Sequence, residues 1–219
     1  MHTGRGNSIA GVVVVAHGGQ AVSTERVTPV QPAVLRMIPL ARAMRRALGG
    51  GIAVCRPLFH VRGWNGALAS PVPDLIQVLD DISHDLKDVP VVLAGHSMGA
   101  RAALRAAGHP AVLGVAALAP WLPGGEPTGQ LAGRRILLAH GNSDTVTSLA
   151  DTRSYALRAR AVAHVAMVEV EGSGHAMLRR ARLWHAMAAE FALASFGLPA
   201  ASTELAAALR TATEHGTVL

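Results

Sequence analysis

The sequence predicts an α/β architecture, a mostly parallel sheet of six strands with helices on both faces, built by a single domain over residues 1–219. Three observations carry that expectation. Short runs of branched apolar residues, such as the four consecutive valines that begin at Val12, are unbroken by polar residues, the habit of parallel strands buried on both faces. These runs alternate with Ala-, Leu- and Arg-rich segments whose apolar residues recur at helical spacing. A chain of 219 residues that is 50% hydrophobic and 16% charged is globular in composition and long enough for one sizeable core.

Residues 1–8 are polar and Gly-rich and read as a frayed terminus. The first strand is 9–16. It runs into His17-Gly18-Gly19-Gln20, where two glycines at the carboxyl end of a buried strand let backbone amides approach a ligand. A helix follows over 32–48, with Val34, Leu35, Ile38, Ala41 and Leu48 on its apolar face. Pro39 predicts a kink or a late start in it, and Gly49-Gly50-Gly51 ends it. The next strand is 52–58, with Cys55 as a small buried hydrophobe. Residues 59–72 form a long loop at the carboxyl edge of the sheet, where ligands bind in open α/β folds. Arg62 and Trp64 stand there to touch substrate, or, in the case of Trp64, to cover the edge of the core. The helix over 73–86 has Asp74 in its first turn and Leu75, Val78, Leu79, Ile82 and Leu86 at helical spacing.

Around these elements stands the stretch over 89–107. A branched apolar strand turns at Gly95-His96-Ser97-Met98-Gly99 and continues at once as a helix of high propensity, closed by Gly108 and Pro110. A serine in such a turn sits in a strained conformation with its hydroxyl aimed off the sheet. The flanking glycines leave room for strand and helix to approach, and the helix points its unpaired amides at charge developing on the serine. Gly-x-Ser-x-Gly in this strand–turn–helix setting resembles the α/β-hydrolase family. The resemblance covers residues 9–196 and implies that Ser97 is a nucleophile. It implies that the amides of Gly19 and Met98 form an oxyanion hole.

The rest of the chain continues the pattern. A strand over 112–118 ends in Ala119-Pro120-Trp121-Leu122-Pro123, which brings Trp121 to the substrate side. The short Gly- and Pro-rich connection 124–133 leaves no room for the helical cap that many α/β-hydrolases carry, so the site is expected to be open, roofed only by the loops of Trp64 and Trp121. A strand over 135–139 leads to Asp144. That residue suits the family's triad acid better than a helix N-cap, since Thr147 or Ser148 caps the helix over 149–160 more naturally. The last strand, 164–170, leads to His175 on a glycine-flanked loop, the place of the family's general base. A long helix over 176–196 follows. The tail 200–219 carries an amphipathic turn or two around Leu205 and Leu209, to dock on the body or on a second subunit in a homodimer. His17, His96 and His140 read as structural neighbours of the site, and His2, His84, His109, His185 and His215 as surface positions.

The order Ser97, Asp144, His175 is that of the family's triad. The overall cut of the chain, including Arg62-Gly63-Trp64-Asn65, looks most like a dienelactone-hydrolase-type or small carboxylesterase branch. Dienelactone hydrolases use cysteine where this chain has Ser97, which favours ester over lactone chemistry. The expectation is a serine hydrolase acting on a small-molecule carboxylic ester through an acyl-enzyme, without metal or cofactor. A thioesterase or lipase-like acyl hydrolase is the alternative among enzymes, and a non-catalytic ligand-binding protein on the same scaffold is the alternative outside them.

The bulk charge does not redirect this reading. The net charge is +6, but Lys87 is the only lysine among 20 basic residues, the arginines are scattered, and seven aromatic residues make no base-stacking platform. Nucleic acid is therefore not an expected partner. One cysteine excludes an internal disulfide framework and Cys-rich zinc patterns. No run approaches the ~20 apolar residues that span a bilayer. The stretch 9–16 lacks a clean signal-peptide cleavage site, which points to the cytoplasm.

Overall fold

Among the described residues seven parallel strands make one sheet: β1 Gly11–Ala16, β2 Ile52–Cys55, β3 Val91–His96, β4 Val112–Leu118, β5 Arg135–Gly141, β6 His164–Val170 and β7 Thr217–Val218, in the order β2-β1-β3-β4-β5-β6-β7. They belong to a computed structural model that describes residues 9–87, 89–214 and 216–219. The expected frayed terminus at 1–8 and the expected surface positions of His2 and His215 lie outside the described residues.

The valine run explains the layering. Val12 and Val14 enter one core with Val91, Leu93, Val115, Ala117, Ile136 and Leu138, while Val13 and Val15 enter the other with Val92, Ala94, Ala116, Leu137 and Ala139. Alternate side chains of each strand are thus buried on opposite faces, so no polar alternation is tolerated in the central strands. The first face is covered by α3 Pro71–Leu86, α4 Met98–Ala106 and α5 Leu149–Ala159. The second is covered by α2 Met37–Leu48, which follows the single turn α1 Pro32–Leu35, together with α6 Ala181–Ser195 and α7 Thr203–Glu214.

Several boundaries differ from the expected ones for local reasons. The helix expected over 32–48 is two helices that break at Arg36. Pro39 has no N–H to give to the Leu35 carbonyl, and it sits in the first turn of α2, where that hydrogen bond is not needed. β2 stops at Cys55 instead of residue 58, because Pro57 follows and only β1 pairs with this edge strand. β5 runs on to Gly141, paired with Val170. α6 begins at Ala181, not 176, because residues 171–180 turn back toward the sheet, with Met177 and Arg180 at positive φ. The six-strand expectation is corrected to seven: the tail docks on its own sheet. α7 packs on α6 and β6, and Thr217–Val218 pairs with Val168 and Glu169. A two-residue strand is too short to have a readable period.

The order of strands positions the site. From β1 the chain moves out to β2, then returns to the other side of β1 as β3. The connections leaving β1 and β3 therefore diverge at their carboxyl ends, which opens a crevice there. Those ends are His17-Gly18-Gly19 and His96-Ser97.

Candidate active site

Ser97 is the single residue between β3 and α4. Its backbone lies at φ +56° and ψ −119°, a conformation that non-glycine residues avoid. The flanking glycines are required by contact. A Cβ on Gly95 would lie 2.5 Å from the Gly99 carbonyl oxygen, and one on Gly99 would lie 2.3 Å from the carbonyl oxygen of His17. The strained serine is held by its own backbone: its N–H donates to Leu118 O at 3.1 Å, and its carbonyl accepts from Arg101 N and Trp121 N.

The loops after β5 and β6 bring the other two residues of the expected triad to this hydroxyl. Ser97 Oγ lies 3.0 Å from His175 Nε2, and His175 Nδ1 lies 2.9 Å from Asp144 Oδ2. The Asp144 carboxylate is fully buried. Oδ1 accepts from the N–H groups of Val146 (2.8 Å) and Thr147 (3.0 Å), and Oδ2 accepts from the Thr147 hydroxyl at 2.8 Å. His140 Nε2 adds a longer contact to Oδ2 at 3.3 Å. Burial pushes the Asp144 pKa up, but the hydrogen bonds from Thr147, His175 and Val146 outweigh it and hold the carboxyl below its ordinary value. An ionised acceptor then faces Nδ1, which favours the tautomer with hydrogen on Nδ1 and a lone pair on Nε2 toward the serine.

Gly18 and Gly19 complete the crevice. A Cβ on Gly18 would lie 3.4 Å from Ser97 Cβ, and one on Gly19 would meet Arg62 O at 2.3 Å and the Met98 side chain at 2.4 Å. Any side chain on Gly19 would therefore push the loop away from the elbow. The Gly19 and Met98 amides donate to no protein acceptor among the described residues. Met98 opens α4, so its N–H is one that the helix itself leaves unpaired.

The three histidines expected to be structural are buried around this centre. His17 Nδ1–H donates to Gly18 O at 2.7 Å, and its Nε2 accepts from Phe59 N–H at 3.2 Å, tying the glycine loop to the loop after β2. His96 Nε2–H donates to the backbone carbonyl of His175 at 2.8 Å, and its ring lies 4.8 Å from the His175 ring. His96 Nδ1 is buried without a partner, and burial, followed by the neighbouring His175, lowers its pKa to about 3. His140 accepts from the Thr152 hydroxyl at 2.8 Å, and burial lowers its pKa too. Of the expected surface histidines, two are corrections: His185 on α6 is half-buried, and so is His109. Its side chain is 11% exposed, because it bridges Asp80 and the Ala111 N–H. Burial likewise raises the pKa of the Cys55 thiol, which disfavours its reactive thiolate form.

The expected substrate contacts separate into three cases. Trp64 is 3% exposed and packs in the core, so it covers the core edge and does not present its face to solvent. Trp121 is half-buried, meets Trp64 edge-on at 6.3 Å and is tied to the elbow through its N–H. Arg62 borders a cleft beside Gly19, in an ion pair with Glu25. Sequence reasoning missed the scaffold between these groups. The Arg101 guanidinium stacks 3.8 Å from Trp64 and 4.6 Å from Trp121. Its Nε donates to buried Glu126, which also accepts from Arg105 Nε at 2.6 Å. Asn65, at φ +62°, accepts from Ser23 N–H and donates to Ser23 O and Ser70 Oγ, stitching two loops together. The Asp-x-x-Thr spacing at 144–147 is a capping pattern and could have pointed to Thr147. Nothing in the Gly- and Pro-rich context of Glu126 announces its arginine partners. Between β4 and β5 the described chain has one 3₁₀ turn, Gly129–Leu131, and no cap. Among the described residues no helix is long and apolar enough to cross a membrane, and no cluster of three or more His, Cys, Asp or Glu side chains could hold a metal ion.

No protein-family model matches the sequence, and no curated protein does. Solved structures do match. An alpha-beta serine hydrolase homologue from Coxiella burnetii superposes with a TM-score of 0.63 at 18% identity, over 84% of this chain and 86% of its own. Est1E from Butyrivibrio proteoclasticus, with ferulic acid bound, gives 0.67 at 14% identity over 89% and 92%. A serine hydrolase without lid from Xanthomonas campestris gives 0.60 at 18% identity over 90% and 87%. At these identities the likeness is one of fold.

Proposed function

We propose that this chain, which has the α/β-hydrolase fold, is a serine hydrolase that cleaves carboxylic esters through an acyl-enzyme. The observation that carries the reading is the continuous contact from Ser97 Oγ to His175 to the buried Asp144 carboxylate, at 3.0 and 2.9 Å, with the serine on a strained turn. A serine hydroxyl is a weak nucleophile at its own pKa and must lose its proton as it attacks. His175 Nε2 takes that proton while Oγ bonds to the ester carbonyl carbon, and the carbonyl π electrons move to oxygen. The resulting oxyanion accepts from the amides of Gly19 and Met98, each such donor contributing about 100- to 1000-fold in rate. Asp144 holds the imidazole tautomer and balances the imidazolium charge. The tetrahedral adduct collapses, the C–O bond to the alcohol breaks, and His175 returns the proton to the leaving oxygen. Water then repeats the sequence on the acyl-enzyme and frees the acid. Trp121 and Arg62 flank the substrate in this reading.

The test is intact-mass analysis after treatment with a fluorophosphonate, on the wild-type protein and on Ser97→Ala. One adduct on the wild type and none on the variant is the expected result. A folded wild-type protein that takes no adduct would refute the reading and leave a ligand-binding role on this scaffold in its place. A panel of ester and thioester leaving groups then assigns the acyl chemistry.

A further inference from the structure

A second feature adjoins the site and is not used by the triad. The connection between β1 and α1 and the segment around Arg62 enclose a cleft of about 290 Å³, lined by Gly18, Gly19, Gln20, Gln31, Arg36 and Arg62 with two small apolar neighbours. Gly18 and Gly19 are its inner wall. Gly18 is also packed on Ser97, at the 3.4 Å its Cβ would have from the serine Cβ. A substrate whose reacting carbonyl lies between Ser97 and the Gly19 amide therefore has this cleft immediately beside it.

The two guanidiniums in the cleft are not equivalent. Arg62 is engaged within the protein. It pairs with Glu25, and Gln31, with its amide oxygen turned toward the guanidinium, accepts from Arg62 Nη2 at 2.9 Å. Those bonds hold the loop and consume the charge of Arg62. Arg36 is different. It is half-buried at the break between α1 and α2, where its backbone N–H donates to Pro32 O at 3.0 Å. No carboxylate pairs with its guanidinium among the described residues. Its charge reaches His96, whose ring lies 4.8 Å from that of His175, and there it helps keep the imidazole neutral. The cleft thus holds one cation beyond its own acid, with planar donors unspent, next to where an ester carbonyl would bind. A planar oxyanion is the group that matches the donor geometry of a guanidinium, and its charged hydrogen bonds are stronger than those to water.

We propose that Arg36 recognises a carboxylate on the substrate, so that the preferred substrates are esters carrying a negative charge a few bonds from the scissile linkage. The proposal rests on the serine-hydrolase reading for the reaction, and it selects among esters where that reading alone does not. Neutral esters leave the Arg36 donors to water; carboxylate-bearing ones pair with them.

Two matched ester pairs test it and separate the two sides of the ester. Mono-para-nitrophenyl adipate against para-nitrophenyl hexanoate places the charge on the acyl side, and para-acetoxybenzoate against phenyl acetate places it on the leaving group. For at least one pair the wild type should prefer the anionic member, mainly through KM. The preference should fall about tenfold in Arg36→Gln, recover in part in Arg36→Lys and weaken with added salt. The same anionic-to-neutral ratio in wild type and Arg36→Gln for both pairs would overturn the proposal. Fluorophosphonate labelling run on the same preparations keeps the two ideas apart. Labelled Ser97 with unchanged ratios overturns the role of Arg36 alone, whereas absent labelling overturns the hydrolase reading. Titration of adipate into Ser97→Ala and into Ser97→Ala/Arg36→Gln reads the carboxylate contact without turnover. Equal affinities there would also count against it.

Discussion

Acidification is the perturbation that the burial of His96 makes quantitative. The imidazole is 1% exposed. Its Nε2–H is committed to the His175 carbonyl at 2.8 Å, and its Nδ1, the atom a proton would occupy, is buried without an acceptor. Around it stand the His175 ring from the β6–α6 loop, the Arg36 charge from the α1–α2 junction and the Asp144 carboxylate from the β5–α5 loop. Burial first and then the neighbouring His175, with a minor share from Arg36, lower the pKa from 6.5 to about 3, against the raising effects of the hydrogen bond to the His175 carbonyl and of Asp144. The unfolded chain therefore takes up a proton near pH 6.5, while the native protein does not until about 3. Stability is full above 6.5 and falls as pH drops through the window between these values, by about 1.4 kcal/mol per pH unit for one proton. From pH 6.5 to 5.0 His96 alone costs about 2 kcal/mol. His17, His140 and His185, whose pKa values burial also lowers, act in the same direction. The depressed carboxyl of Asp144 stabilises the fold above the ordinary carboxylate range and loses that contribution only as pH falls through and below it, beneath the span from pH 6.5 to 5.0. Urea unfolding at constant ionic strength across pH 7.5 to 5.0, on wild type and His96→Gln, isolates the effect, because glutamine keeps a donor near the Nε2 position and does not titrate. The wild type should lose about 2 kcal/mol more than the variant between pH 6.5 and 5.0. Parallel pH profiles would show that His96 does not stay neutral in the folded protein, and the reasoning from its burial would fail.

Two further outcomes follow from contacts around the elbow. Gly99→Ala places a methyl 2.3 Å from the His17 carbonyl oxygen, which has no freedom to rotate away. The variant should be about 3 kcal/mol less stable, a fall in Tm of roughly 6–12 °C, measurable by calorimetry; a Tm within a degree of wild type would contradict the close approach. Glu126→Ala strands the guanidinium of Arg101, whose side chain is 9% exposed, and should cost about 3–5 kcal/mol in denaturant unfolding. The double variant Glu126→Leu/Arg101→Met should recover most of that loss, and no recovery would mean that the tryptophan stacking, not the ion pair, is what matters there.

What was legible in the sequence was local. A run of valines cannot alternate polar and apolar faces, so β1 reads as a buried parallel strand before any partner is known. The glycines at 95 and 99 announce a turn that only residues without a Cβ allow, and the structure puts backbone oxygens where those Cβ atoms would be. Pro39 announces the late start of α2, and Ser148, which accepts from Asp151 N–H at 3.0 Å, announces α5. The order Ser97, Asp144, His175 was legible for the same reason, because each residue ends a recognisable strand, and the ends of parallel strands converge on one edge.

What the tertiary structure decided was which side chains are spent on the protein itself. Trp64 and Trp121 look alike in the sequence; the first is core and the second half-exposed, because Arg101 stacks on both from a helix that reads as featureless. Arg62 stands in the more suggestive motif, yet Glu25, 37 residues earlier, occupies it. Arg36, in a stretch that reads as helix surface, has no carboxylate partner among the described residues. The tail's two-residue strand and the bond from His96 to His175, 79 residues away, belong to the same class. Backbone preferences act over a few neighbours and can be read along the chain. Hydrogen-bond and ion-pair partners are set by which distant segments the sheet brings together, and that is settled only when the core has closed around both of its faces.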